Sequence, residues 1–267
     1  MYLVKSLNKK YRDEAITLGK IRIGTINYYR KIENAERKDA EEGLGHIVWK
    51  GQELSAEDHN RIFTPFDNVT LKDGFTIKNA GVPIHGSYPN FNLFTFCYSQ
   101  VERVSQIRST SSGKVSHYYF ITDFPQFIRV LTKSIRIVGE EIIRKYEPKH
   151  ADELIRNLKV FDVSYKIYYS DETKAREVTE ENVKSFEPKK FYSQDFFQKR
   201  TSFSYEREVR TCWVFIYTDK NGRKQASQIP PPDQEFVDLE VGKLPLSKWR
   251  KKNNYPVKTS TPKQHDV

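Results

Sequence analysis

From Glu206 to Thr218 the chain runs Glu-Arg-Glu-Val-Arg-Thr-Cys-Trp-Val-Phe-Ile-Tyr-Thr, dense in β-branched and aromatic residues and free of Gly and Pro. Such a run has no comfortable place except as a long strand inside a sheet. It ends in Asp219-Lys220-Asn221-Gly222, an Asn-Gly turn signal that predicts a hairpin into Gln225 to Ile229. Pro230-Pro231-Pro232 then ends any pairing, since proline donates nothing to a ladder.

Around this strand the chain mixes both periodicities. Tyr2-Leu3-Val4 reads as a short strand. Tyr11, Ala15 and Leu18 recur at helical spacing, and Gly19 closes that helix. Ile21, Ile23 and Ile26 follow, with Gly24 interrupting. Strands are expected near 46–50, 60–64, 69–78, 91–98 and Val115 to Ile121. A helix begins at Asp123, with Pro125 in its first turn and Phe127, Val130, Leu131 and Ile135 on one face. Ala151 to Leu158 is a second helix, and Val160 to Tyr169 a long strand. The charged run 33–43 reads as an exposed loop or fraying helix, and Ser109 to Gly113 as a mobile loop. These patterns predict an α+β fold: one domain over 1–242, a mixed or antiparallel sheet core with flanking helices, and a basic C-terminal tail over 243–267.

The net charge of +10 is unevenly placed. Residues 243–267 hold seven Lys or Arg and one Asp, leaving only +4 for the other 242 residues. The tail is thus the part of the chain suited to phosphates, with solvation as its plainer role. No stretch reaches the roughly 18 apolar residues of a membrane span, and the two cysteines, Cys97 and Cys212, sit in apolar runs. The chain reads as soluble, reduced and cytoplasmic.

Several chemistries lack their residues. Six scattered histidines form no HExxH, and no CxxC pair is present, so no metal is expected. GxxxxGK[ST], GxGxxG and GxSxG are all absent. Glu172-Thr173-Lys174 after Asp162 and Asp171 has the spacing of a metal-dependent nuclease, but in a polar connection rather than a core strand. What survives is Tyr205-Glu206-Arg207-Glu208-Val209-Arg210. As a strand it would project Glu206, Glu208 and Arg210 from one face, where charges must be exposed, paired or functional.

The segments Tyr2-Leu3-Val4-Lys5-Ser6, Leu18 to Ile26, Tyr28-Tyr29-Arg30, Asp39 to Gly43, Phe96-Cys97-Tyr98-Ser99 and Tyr205 to Arg210 resemble a widespread bacterial family of unknown function. Their layout is similar, more distantly, to NAD-dependent ADP-ribosyltransferases. That resemblance implies NAD as a substrate and a macromolecular acceptor, with nucleic acid within reach of the tail. It also implies a role in bacterial or phage conflict. It maps Lys5 or Ser6 to a polar role on the first strand and Tyr28, Tyr29 or Ser99 to the ring-binding role. Glu208, with Glu206, takes the catalytic role, and Arg210 joins the cofactor-binding set. The alternative reading is a non-catalytic nucleic-acid-binding or interaction module whose charged face is structural.

Overall fold

A computed structural model describes residues 1–32, 44–62, 72, 74, 76–78, 84–89, 92–107, 117–170, 176–185, 197–218, 224–226 and 229–248. The expected loops at 33–43 and 109–113, the Asn-Gly turn, the Glu172–Lys174 segment and residues 249–267 lie outside them. The fold is α+β, built on antiparallel pairing as the strand patterns require. The chain packs as two compact units, one of 1–38, 92–167 and 202–267, the other of 39–91 and 168–201.

The first unit is organised around β7 (Phe94–Val101) and β13 (Glu208–Thr218), which pair antiparallel from Glu208 opposite Ser99 to Trp213 opposite Phe94. β13 is bordered on its other edge by β9 (Lys159–Lys166), and its far end pairs with β14 (Lys224–Ala226), so the expected hairpin forms. β1 (Tyr2–Leu7) joins β7 to β8 (His117–Ile121). β2 (Lys20–Thr25) joins β7 to β15 (Phe236–Glu240).

Alternation along these strands sorts the side chains. Leu3, Phe94, Phe96, Tyr98, Val209, Trp213 and Phe215 face one way, into a core shared with the helices. α1 (Lys9–Leu18) opens on Asn8, whose side chain accepts the Lys10 N–H, and closes on Gly19 at φ 68, the left-handed geometry that glycine adopts without strain. α2 (Ile26–Ile32) follows β2 directly.

The long α4 (Phe124–Tyr146) is capped by Asp123, which accepts the Gln126 N–H, with Pro125 in the first turn. It buries Phe127, Ile128, Leu131, Ile135 and Ile143, each contributing about 1.5–3 kcal/mol of transfer free energy. Its Thr132 hydroxyl accepts the Trp213 indole N–H and donates to Asp162, tying helix to β13 and β9. α5 (Ala151–Asn157) adds Ala151 to the same core.

The second unit holds β3 (Leu44–Trp49) between β6 (Ile84–Pro89) and the parallel β11 (Arg176–Val178). Beside them lie the pairs β4 (Glu53–Ser55) with β5 (Thr76–Lys78) and β10 (Tyr168–Tyr169) with β12 (Gln198–Lys199). Ile47, Trp49, Leu54, Ile62, Val178 and Val183 form its core. Residues 60–62, expected in a strand, belong instead to α3 (Ala56–Ile62). Ser55 caps that helix by accepting the Asp58 N–H, and the acidic first turn suits the helix dipole. The expected strand from Val160 to Tyr169 is divided: β9 ends at Lys166, and Tyr168–Tyr169 pair elsewhere.

A third difference concerns residues 244–248. Residues 244–248, read as the start of the basic tail, are built into the first unit. Leu244 is buried, β16 (Leu246–Ser247) pairs with β8, and Lys248 ion-pairs with Asp13 at 2.9 Å. The cations around Leu244 masked an apolar residue with a core position. Leu244→Ala is therefore expected to cost about 2–3 kcal/mol, read as a lowered denaturant midpoint. An unchanged midpoint would show that this segment adds nothing to the sheet.

Candidate functional site

The segment before β13 is not strand. Thr201–Glu206 forms 3-10 turns, and Arg207 then adopts φ 47, a left-handed conformation uncommon outside Gly and Asn. Its N–H reaches the Ser204 carbonyl, and its own carbonyl accepts the Gln100 N–H at 3.0 Å. Because this residue breaks the period-two alternation, Glu206 does not share a face with Glu208 and Arg210. The expected triad is a pair plus a half-buried residue on the preceding turn.

Glu208 opens β13 and is 6% exposed; Arg210, two residues on, is 0% exposed. Arg210 Nε and Nη2 both donate to Glu208 Oε1, at 3.0 and 2.8 Å. The two stand on the face opposite the helix-covered core. Directly across from Glu208 on β7 is Ser99, and directly across from Ser99 on β1 is Val4. Residues opposite one another in antiparallel strands put their Cβ atoms about 4.5–5.5 Å apart on one face. The Ser99 side chain therefore neighbours the carboxylate. Ser6, beside Tyr118 of β8, projects from the same face one pleat beyond Val4.

β1 and β2 share one edge of β7 and leave a fork between them. β1 pairs with Ser99, Gln100 and Val101, while β2 pairs with Phe94 and Thr95. Phe96, Cys97 and Tyr98 line the gap, where a carbonyl has no neighbouring strand to answer it. Lys5 supplies a donor: its ammonium bonds the Cys97 carbonyl at 2.5 Å and lies 4.9 Å from the Phe96 ring centroid. Lys5 sits across from the buried Tyr119, on the helix-covered face and away from Glu208. Burial pushes the Tyr119 phenol up, so it is neutral and offers Lys5 no counter-ion.

The tyrosine pair is placed by a glycine. A Cβ on Gly24 would fall 2.7 Å from the Tyr29 ring and 3.0 Å from that of Tyr28, so both rings rest on the space it leaves. Gly24 pairs with Thr95, which puts Tyr28 and Tyr29 on the Glu208 face of the sheet. The Gly24–Thr95 row is four residues along β7 from Ser99, about 13 Å. Tyr28 also meets Phe236 edge-on at 5.5 Å, and Arg22 stacks 3.9 Å from the Phe236 centroid while binding Asp238 through two contacts of 2.8 Å. That guanidinium holds the Asp238 carboxyl below the ordinary carboxylate range, so the pair contributes at neutral pH and fades as pH falls through the lowered value.

Residues without any sequence signal complete the scaffold. Asn92 accepts the Asn27 N–H and donates to the carbonyls of Pro231 and Gln234, and Thr25 donates to the Gln234 carbonyl. This bracket anchors the start of α2, and hence the tyrosines, to the proline-rich segment. Among the described residues no three His, Cys, Asp or Glu side chains gather as a metal site, and no helix is long and apolar enough to cross a membrane.

No protein-family model, curated protein or solved structure matches the chain.

Removing Arg210's charge leaves the Glu208 carboxylate buried without its cation. Arg210→Met is expected to cost about 3–5 kcal/mol, and the double variant Glu208→Gln/Arg210→Met to recover most of it, since a neutral pair avoids the desolvated charge. Denaturant unfolding of the two variants against wild type measures this; equal losses in the single and the double variant would contradict the pairing.

Proposed function

We propose that the chain uses NAD as an ADP-ribosyl donor, with Glu208 as the carboxylate of the reaction and a macromolecule as acceptor. The observation that carries this reading is the Val4–Ser99–Glu208 row. It sets one carboxylate and one hydroxyl side by side, on a sheet face that also bears Ser6, Tyr28 and Tyr29. In such a reaction the bond between ribose C1′ and the nicotinamide nitrogen breaks, and nicotinamide leaves with the bonding electrons. A nucleophile of the acceptor then bonds to C1′. Positive charge develops on the ribose as the bond lengthens, and a pre-oriented carboxylate stabilises that charge more than it stabilises bound NAD. A neighbouring hydroxyl suits the ribose.

A second reading takes the Glu208–Arg210 pair as purely structural and the chain as a nucleic-acid-binding or interaction module. The near-complete burial of both residues favours it. The two readings differ in what Glu208→Gln does. The test is incubation of the full chain with NAD and cell lysate, measuring nicotinamide release and transfer of adenylate label. Under the transferase reading, Glu208→Gln lowers both by at least about 100-fold, the scale of a lost electrostatic contact, measured at a temperature where circular dichroism shows the variant folded, since removing one partner of a buried pair also lowers stability.

Wild type without nicotinamide release would remove the transferase reading. Under the binding reading, Glu208→Gln leaves nucleic-acid affinity intact. Each Lys or Arg of 249–267 changed to Gln then lowers the slope of log affinity against log salt by about one.

A further inference from the structure

We propose that Arg210 is the positioning residue of the Glu208 site, fixing where the carboxylate oxygen Oε1 lies without touching the ligand itself. This rests on the transferase reading and deepens it by separating two residues that sequence grouping places together. Arg210 is 0% exposed, deeper than Glu208 at 6%, and its strand is paired on both sides, with Cys97 of β7 and Tyr165 of β9. Its backbone therefore has little freedom. Two N–H groups of one rigid guanidinium converge on the single oxygen Oε1. Two donors of one planar group converging on one oxygen fix the position of Oε1, and with it the point from which the second oxygen extends.

The chemical consequence is specific. A carboxylate that drifts by an ångström still attracts a bound ligand, but it meets charge developing during bond breaking far less well. Loss of positioning thus falls on turnover rather than on binding. Lysine keeps the charge but offers a single ammonium on a flexible stem, with no fork.

The experiment is steady-state NAD turnover by the full chain, read as nicotinamide release, for wild type, Arg210→Lys, Glu208→Gln and the double variant Glu208→Gln/Arg210→Met. Arg210→Lys is expected to lower kcat about tenfold or more while KM stays within about threefold and the melting temperature is held. The double variant is expected to match the residual kcat of Glu208→Gln within about threefold, because a residue acting only through Glu208 has nothing left to act on. Arg210→Lys with unchanged kcat, or with KM rising in step, would overturn the proposal. So would a double variant clearly below Glu208→Gln, which would mean that Arg210 contacts the ligand directly. Should Arg210→Lys fail to fold, the double variant decides alone. Wild type without turnover is a different failure: it removes the transferase reading, and this assignment with it.

Discussion

Strand β7 is hydrogen-bonded along both edges, and the rest of the first unit depends on how those edges are shared. β13 takes one edge continuously, from Ser99 to Phe94. The other edge is divided between β1 and β2, and the chain passes from one to the other through α1. A divided edge leaves backbone polar groups facing a gap, and buried polar groups must find partners. Lys5 answers the Cys97 carbonyl from the helix-covered side. The opposite face carries Ser99, Ser6 and Glu208, the tyrosines against Gly24, and a separate buried apolar cluster of Tyr2, Val4, Val101 and Phe120.

Both faces bury apolar surface, but they differ in the charge they hold. On the helix side, Phe96, Phe127, Leu131, Trp213 and Phe215 bury apolar surface, and the few polar groups there are paired, as Trp213 is with Thr132. On the other side, a full ion pair is buried next to Thr95, itself 0% exposed. Burying charges costs several kcal/mol per ion, and a hydrophobic pair of the same volume is often as stable. The stability that the Glu208–Arg210 pair adds is therefore small against a hydrophobic alternative.

Legibility differed sharply between elements. The Asp123 cap, Pro125 and the helical spacing of Phe127, Leu131 and Ile135 announced α4, because capping and periodicity are local signals. The apolar density of 209–216 announced β13 for the same reason. Where two local signals competed, the reading failed. Isolated apolar residues at 60–64 suggested a strand, but Ser55 and the acidic turn after it start a helix. Cations around Leu244 suggested a solvated tail, but one buried leucine and two ladder residues hold the segment to β8. Spacing places Glu206 with Glu208, but the left-handed Arg207 between them leaves Glu206 on the preceding turn.

By itself, the sequence determined the α+β class, the main helices, the long core strand and the residue types available for chemistry. All of these are set within a few residues of chain by periodicity, capping and propensity. Tertiary structure alone decided which of those residues meet. Ser99 and Glu208 are more than a hundred positions apart and become neighbours through the register of β7 against β13. Lys5 and Ser6 are adjacent in sequence yet fall on opposite faces, and Tyr28 reaches the Glu208 face because Gly24 leaves room. Register is a property of paired strands, and a shift of one residue would move every side chain to the other face.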